Sequence, residues 1–128
     1  MRAGASILTV DDSSSMRRMV RAALEADGHR VREAGNGCEA LGALEAEPAD
    51  LVITDLYMPV MDGLSLLLAL RERAEYRSLP VLLLTTERAE EVKARVRASG
   101  ATGWLVKPFQ PEELRRAVAC VLGAGGRS

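Results

Sequence analysis

LVITDLYMPVMDG, residues 51–63, is the segment around which the rest of the chain can be arranged. It begins with an apolar run over residues 51–53, whose valine and isoleucine are typical of a buried parallel strand. The run ends at Asp55, and a turn containing Pro59 and Gly63 follows. A carboxylate at the carboxyl end of a buried strand faces the crevice in which open α/β sheets bind ligands. A lone aspartate after a strand also serves as a turn or cap residue, so its meaning depends on the rest of the chain.

The composition is that of a folded protein with one hydrophobic core. The chain has 128 residues, of which 48% are apolar and 27% are charged, as in ordinary globular domains. The 17 basic and 18 acidic residues leave a formal net charge of -1, which gives no reason to expect a nucleic-acid partner. Apolar runs are far shorter than the roughly 18 residues of a membrane-spanning helix, and the N-terminal run is too short for a signal peptide. We therefore expect a cytoplasmic monomer that binds neither nucleic acid nor membrane.

The cysteine and histidine residues show no pattern typical of a disulfide or a metal site. Cys38 and Cys120 are the only cysteines, without a CxxC spacing or a nearby histidine, and we expect them to be reduced and partly buried. The single histidine, His29, lies in a polar turn, where a surface position is expected.

Strand-like and helix-like segments alternate five times along the chain. Each short apolar run is followed by a segment with apolar residues at helical spacing, which predicts a doubly wound parallel sheet with helices on both faces. The later helices are expected over residues 63–75, 88–99 and 111–122. No repeat or linker interrupts the pattern, so residues 1–128 are expected to form a single domain, with a core over residues 6–122 and a loose tail at 123–128.

The helix after the first strand is amphipathic. Met16, Val20 and Leu24 recur at helical spacing and are expected to face the core. Three arginines take the opposite side of this helix, where we expect a solvated face: Arg17, Arg18 and Arg21.

Polar residues follow the predicted strands at one edge of the sheet. The first strand leads into Asp11 and Asp12, the third ends at Asp55, the fourth at Thr85, and the fifth leads into Lys107. Because the carboxyl ends of parallel strands meet at one edge, we expect these side chains to lie close together. Three adjacent carboxylates repel one another unless a cation joins them, and Mg²⁺ prefers carboxylate, water and phosphate oxygens. The lysine and the hydroxyl suit a phosphoryl group, and an aspartate can be the nucleophile that forms an acyl phosphate.

Together with their neighbours, these residues resemble the receiver domain of two-component response regulators. The motifs that carry the resemblance are Val10-Asp11-Asp12-Ser13, Asp55 with Met58-Pro59 and Asp62-Gly63, Thr85, and Lys107-Pro108-Phe109. The similarity covers residues 6–122 and is strongest to chemotaxis response regulators of the CheY type. It implies a flavodoxin-like α/β fold, with five parallel strands in the order 2-1-3-4-5 and five helices. The switch point of that order lies between strands one and three, where the three aspartates are expected.

The resemblance implies a role for each residue of the site. Asp55 would accept the phosphoryl group, and Lys107 would pair first with Asp55 and then with that group. Thr85 would move towards a phosphoryl oxygen. Asp12 and Asp55 would bind Mg²⁺ directly, Asp11 would bind it directly or through water, and the backbone carbonyl of Tyr57 would complete the protein ligands.

The resemblance also singles out residues around the site. Trp104 occupies the position of the family's switch aromatic, usually Tyr or Phe, and would act with Thr85. Tyr57 and Glu87 flank the path of a hydrolytic water and would tune the lifetime of the phosphoryl group. The bond between Lys107 and Pro108 is expected to be cis, a geometry accessible almost only before proline.

The function implied is that of a stand-alone response regulator rather than an enzyme with a separate substrate. A histidine kinase would supply the phosphoryl group, and Asp55 would gain and lose it by self-catalysed reactions. An output protein, such as the flagellar motor switch in chemotaxis, would bind the face formed by the fourth helix, the fifth strand and the fifth helix. Lys93, Arg97 and the rim of Trp104 are the surface expected to contact it.

Two other functions are weighed against this one. A receiver can also serve in a phosphorelay, or work by docking alone, outside chemotaxis. A phosphatase of the haloacid dehalogenase type also forms an aspartyl phosphate on an α/β sheet. That class requires a DxD motif at its nucleophile, and neither Asp55-Leu56-Tyr57 nor Asp11-Asp12-Ser13 provides one.

Overall fold

The computed structural model describes residues 4–86 and 88–125. Within them, five strands and five α-helices alternate along the chain. The strands are β1 (Ser6–Val10), β2 (Arg30–Ala34), β3 (Leu51–Asp55), β4 (Val81–Thr85) and β5 (Gly103–Val106). The helices are α1 (Ser14–Glu25), α2 (Gly37–Ala46), α3 (Gly63–Glu72), α4 (Glu90–Ala98) and α5 (Pro111–Gly125), with a 3-10 turn over Ala74–Tyr76.

All strand pairs are parallel, and the sheet has the order β2-β1-β3-β4-β5. This confirms the predicted doubly wound, flavodoxin-like architecture. The register brings the strand ends to one level, since Val10 lies opposite Thr54 and Thr85 lies opposite Val106. The carboxyl ends of β1, β3, β4 and β5 therefore form one edge of the sheet.

The core consists of two apolar clusters, one on each face of the sheet. Leu8 and Val52 contribute to the cluster beneath α2 and α3, whereas Ile7 and Ile53 contribute to the cluster beneath α1 and α5. Successive side chains of a strand point to opposite faces, so each central strand supplies both clusters. This explains why every residue of β3 is buried and why its apolar run does not alternate with polar residues.

Several element boundaries differ from those expected. Helix α3 ends at Glu72 because Arg73 is extended, and α4 begins at Glu90 rather than at residue 88. Helix α5 continues to Gly125, so residues 123–125 are helical rather than part of a loose tail, and residues 126–128 lie outside the described residues. Helix α5 can include Gly123 and Gly125 because each glycine costs a helix only about 1 kcal/mol relative to alanine. Extending an existing helix is also easier than starting a new one.

The cysteines and the histidine do not lie as expected. Cys38 and Cys120 are both exposed, which corrects the expectation that they are partly buried. On α5, Val118 and Val121 face the core and Cys120 faces outwards. His29 is half-buried, and its Nδ1 accepts a hydrogen bond from the Ala5 N–H at 3.0 Å. No helix within residues 4–86 and 88–125 is long and apolar enough to cross a membrane.

Candidate functional site

Three carboxylates meet at the carboxyl edge of the sheet. Asp11 and Asp12 follow β1, and Asp55 is the last residue of β3. One oxygen from each lies within 4.8 Å of the other two. Asp11 and Asp55 are buried, whereas Asp12 is exposed. The cluster lies where the topology reverses between β1 and β3, as the sequence predicts.

Lys107 brings a positive charge to this cluster. Its Nζ lies 3.2 Å from Asp55 Oδ1 and 3.7 Å from Asp11 Oδ2. The backbone N–H of Lys107 donates to the Thr85 carbonyl at 2.8 Å, which aligns the end of β5 with the end of β4. The peptide bond to Pro108 is cis, as expected. The lysine thus neutralises part of the charge on two buried carboxylates.

Asp11 has one carboxylate oxygen that the protein leaves without a hydrogen bond. Its Oδ1 accepts from the Ser13 N–H at 2.9 Å, whereas its buried Oδ2 has no hydrogen-bond partner among the described residues. Burial raises the pKa of Asp11 and the Asp55 carboxylate adds to the rise, while the Ser13 N–H and Lys107 lower it. Buried polar atoms without partners are rare in native proteins, and a bound ion or water is one of the usual reasons for them.

The donor set therefore fits a hard divalent cation. Mg²⁺ binds oxygen ligands and retains several waters, and the cluster offers one carboxylate oxygen each from Asp11, Asp12 and Asp55. Asp62, a fourth carboxylate nearby in sequence, has another task. Its Oδ1 accepts from the Ser65 N–H at 2.8 Å and caps α3.

The other predicted site residues lie around the cluster. Thr85 is buried at the end of β4, next to the strand that carries Asp55. Tyr57 follows Asp55 by two residues, and its side chain is 54% exposed. Glu87, expected to tune the lifetime of the phosphoryl group, lies outside the described residues.

Trp104 lies on β5, two strands from β3, which carries Asp55. It pairs with Leu83, and Val106, two residues further along β5, pairs with Thr85. Because alternate residues of a strand share a face, Trp104 and Thr85 lie on the same face of neighbouring strands. Two cations flank the half-buried indole, with Lys93 Nζ 5.8 Å and Arg97 Cζ 5.1 Å from the ring centroid, within the range of cation–π attraction.

The turn between β3 and α3 packs tightly against the site. A Cβ atom at residue 63 would lie 2.2 Å from the Asp55 carbonyl oxygen, so only glycine fits there. The Gly63 N–H also donates to the Leu56 carbonyl at 2.8 Å. Gly63 thereby allows the first turn of α3 to approach the strand end that carries Asp55.

Sequence reasoning missed one residue of this region, Arg17. It was expected on a solvated face, yet its side chain is only 20% exposed and its Nη1 donates to the Asp11 carbonyl. Arg18, the next residue, is exposed as expected. The signal that could have indicated this contact is the position of Arg17 on the first turn of the helix that follows Asp11 and Asp12.

Comparison with known proteins agrees with this geometry. Residues 7–119 match the response regulator receiver domain family. The chain therefore belongs to the response regulator receiver domain family. Receiver domains accept a phosphoryl group and bind Mg²⁺ at an acidic pocket. The cluster of Asp11, Asp12 and Asp55 resembles such a pocket.

Individual relatives include chemotaxis proteins. A CheY homolog of Campylobacter jejuni is 38% identical over 121 residues, covering 93% of each chain. CheY1 of Helicobacter pylori is 36% identical over 119 residues, covering 91% of this chain and 96% of that protein. The structure of CheY4 of Vibrio cholerae superposes with a TM-score of 0.88 at 44% identity, covering 93% of this chain and 99% of that one.

Proposed function

We propose that this protein is a response regulator whose Asp55 accepts a phosphoryl group from a histidine kinase. The observation that carries the proposal is the contact of Lys107 Nζ with Asp55 Oδ1 at 3.2 Å beside the cluster of aspartates. A buried carboxylate that is held by a lysine and open to a cation suits phosphoryl transfer. We propose Asp11, Asp12, Asp55 and the Tyr57 carbonyl as the ligands of Mg²⁺.

The proposed reaction is a simple displacement at phosphorus. An Asp55 carboxylate oxygen forms a bond to the phosphorus atom, the bond from phosphorus to the donor breaks, and an acyl phosphate results. Lys107 exchanges its contact with the carboxylate for one with a phosphoryl oxygen, and the Thr85 hydroxyl donates to another. Mg²⁺, when bound, offsets negative charge on the phosphoryl oxygens. In the separate hydrolysis step a water oxygen bonds to the phosphorus, the bond from phosphorus to the Asp55 oxygen breaks, and inorganic phosphate leaves. Tyr57 and Glu87, which follow Asp55 and Thr85 by two residues each, are proposed to set the rate of this step.

The proposed output is a change in the surface of the receiver domain. Thr85 and Trp104 share a face of neighbouring strands, so movement of the Thr85 side chain changes the space available to the indole. We propose that a partner binds α4, β5 and α5 near Lys93, Arg97 and Trp104, and that the process is chemotaxis, with the flagellar motor switch as the output protein. The relatives that this chain covers over more than nine-tenths of their own length are named as chemotaxis proteins, which supports this assignment over a phosphorelay or a phosphatase.

The proposed function is tested by phosphorylating the protein with a small-molecule donor and locating the adduct. Incubation with acetyl phosphate and Mg²⁺ should produce an acid-stable, alkali-labile adduct, which mass mapping should place on Asp55. Asp55→Asn should abolish it, because the nucleophilic carboxylate is gone.

Asp62→Asn is the matched control, since Asp62 caps α3 outside the cluster, and this variant should react like the parent. An adduct on Ser13, Ser14 or Thr86, or none at all, would contradict the assignment of Asp55.

A further inference from the structure

Arg17 is held behind the acidic cluster by two hydrogen bonds to different partners. Its Nη1 donates to the backbone carbonyl of Asp11, and its Nε donates to Glu33 Oε1 at 2.9 Å. The guanidinium is planar, so two fixed donors define the orientation of the whole group. Its two partners come from different strands, because Asp11 follows β1 and Glu33 belongs to β2.

The contact with Asp11 completes the hydrogen bonding of that residue. The Asp11 N–H donates to the Ala34 carbonyl at 3.1 Å, Oδ1 accepts from Ser13, and the carbonyl accepts from Arg17. Of these Asp11 atoms, only Oδ2, 3.7 Å from Lys107 Nζ, has no hydrogen-bond partner within residues 4–86 and 88–125. The Asp11 carbonyl and the Asp12 N–H belong to one planar peptide group. Arg17 therefore holds the plane that joins the two consecutive carboxylate residues.

Glu33 supports Arg17 from the second strand. It also accepts from Arg21 Nη1 at 3.2 Å, and hydrogen bonds from Arg17 first and then Arg21 lower its pKa, so it is a carboxylate at neutral pH. Arg21 in turn donates to Glu25 at 2.9 Å. Among these charged residues only Arg17 reaches the backbone of the site.

We propose that Arg17 is a positioning residue for the candidate metal site. It fixes the peptide between Asp11 and Asp12 so that both carboxylates face the same cation, and Glu33 holds Arg17 in place. This inference rests on the proposed function, in which these aspartates bind Mg²⁺. Arg17 itself does not touch the reacting atoms.

The test measures Mg²⁺ binding without any phosphodonor. Arg17→Met removes both hydrogen bonds and keeps the length of the side chain, and Arg18→Met makes the same change of charge on the exposed neighbour. Because loss of a residue that orients a metal ligand costs about 10- to 100-fold in metal affinity, Arg17→Met should raise the Kd for Mg²⁺ by that factor. Arg18→Met should bind like the parent, and Arg17→Lys, which keeps one donor, should recover part of the loss.

A second readout separates positioning from general stability. In the metal-free protein, Arg17→Met should shift the amide resonances of Asp12 and Ser13, while Arg18→Met should not. If Arg17→Met proves unfolded, Glu33→Gln takes its place, with Glu25→Gln as its control. Glu33→Gln should raise the Kd by a smaller factor, since it weakens the support without removing Arg17.

The outcomes are distinct from those for the proposed function. A folded Arg17→Met variant, or a Glu33→Gln variant used in its place, that binds Mg²⁺ within about twofold of its control would overturn the positioning role. A parent that binds Mg²⁺ but forms no adduct on Asp55 would remove the proposed function and leave the role of Arg17 intact. A parent that does not bind Mg²⁺ would overturn both.

Discussion

At the scale of single residues, Val60 has an unusual backbone conformation. It is the one non-glycine residue with positive φ in the described part of the chain, at 75°, and its side chain is 80% exposed. Left-handed conformations are unfavourable for residues with a Cβ atom, and most of all for β-branched ones. Val60 thus strains the turn between Asp55 and α3, and its exposed side chain buries little surface in compensation.

We predict that Val60→Gly is more stable than Val60→Ala by about 1 kcal/mol. Both substitutions remove the exposed branched side chain, but only glycine relieves the strain of positive φ. Urea unfolding of the two variants measures the difference. Equal stabilities, or a more stable alanine variant, would show that the turn is not strained at this residue.

At the scale of elements, the helices are positioned by a few polar contacts. Arg71 of α3 donates from Nε and Nη2 to the Gly100 carbonyl at 3.1 and 2.8 Å, and from Nη1 to the Tyr76 carbonyl at 2.8 Å. Burial lowers the pKa of Arg71. Through its hydrogen bonds to Gly100, Arg71 links α3 to the segment between α4 and β5. Its positive charge near the carboxyl end of α4 is also favourable for the dipole of that helix.

Gly42 of α2 and Gly63 of α3 should respond oppositely to alanine. Gly42 in α2 has open space where a Cβ would lie, and Gly42→Ala should stabilise the protein by about 1 kcal/mol through helix propensity. A Cβ at Gly63 would overlap the Asp55 carbonyl oxygen, so Gly63→Ala should destabilise it by about 1–3 kcal/mol.

Thermal or urea unfolding of the two variants checks this pair. A stabilising Gly63→Ala would mean that α3 can move away from β3, and the tight packing of this turn would then not be required for the fold.

At the scale of the whole molecule, the proposed phosphorylation of Asp55 would have to change a surface away from the site in order to signal. It adds about -1.5 to -2 charges, and it shifts a conformational equilibrium only by its differential interaction with the two states. The shared face of Thr85 and Trp104 offers a route from the site to α4. In the described structure Lys93 and Arg97 flank the indole.

We predict that Mg²⁺ with beryllofluoride, a mimic of the phosphoryl group, makes Trp104 less accessible to iodide. The reason is that the Thr85 hydroxyl turns towards the mimic and leaves space into which the indole can move. Trp104 is the only tryptophan, so its fluorescence quenching reports this step.

Thr85→Ala should bind the mimic and lose most of the fluorescence change, whereas Thr86→Ala, which alters the exposed neighbour, should retain it. Unaltered quenching in a protein shown to carry the mimic would remove Trp104 from the switch.

The pattern of strands in the sequence determined most of the site. Asp11, Asp12, Asp55, Thr85 and Lys107 all lie at or just after predicted strand ends, and the carboxyl ends of parallel strands share one edge. The resemblance supplied the strand order, and it also predicted the cis bond before Pro108. These features follow from local patterns and motifs that can be read along the chain.

Only the tertiary structure decided how helices and side chains meet across the sheet. The contact of Arg17 with the Asp11 carbonyl and the exposure of both cysteines depend on the rotation of a helix about its axis and on side-chain conformation. Amphipathic spacing predicts which side of a helix is apolar, but it leaves open where a long side chain at the margin of that face will end. Arg17 lies at such a margin, and its place became apparent only once α1 was packed against β1 and β2.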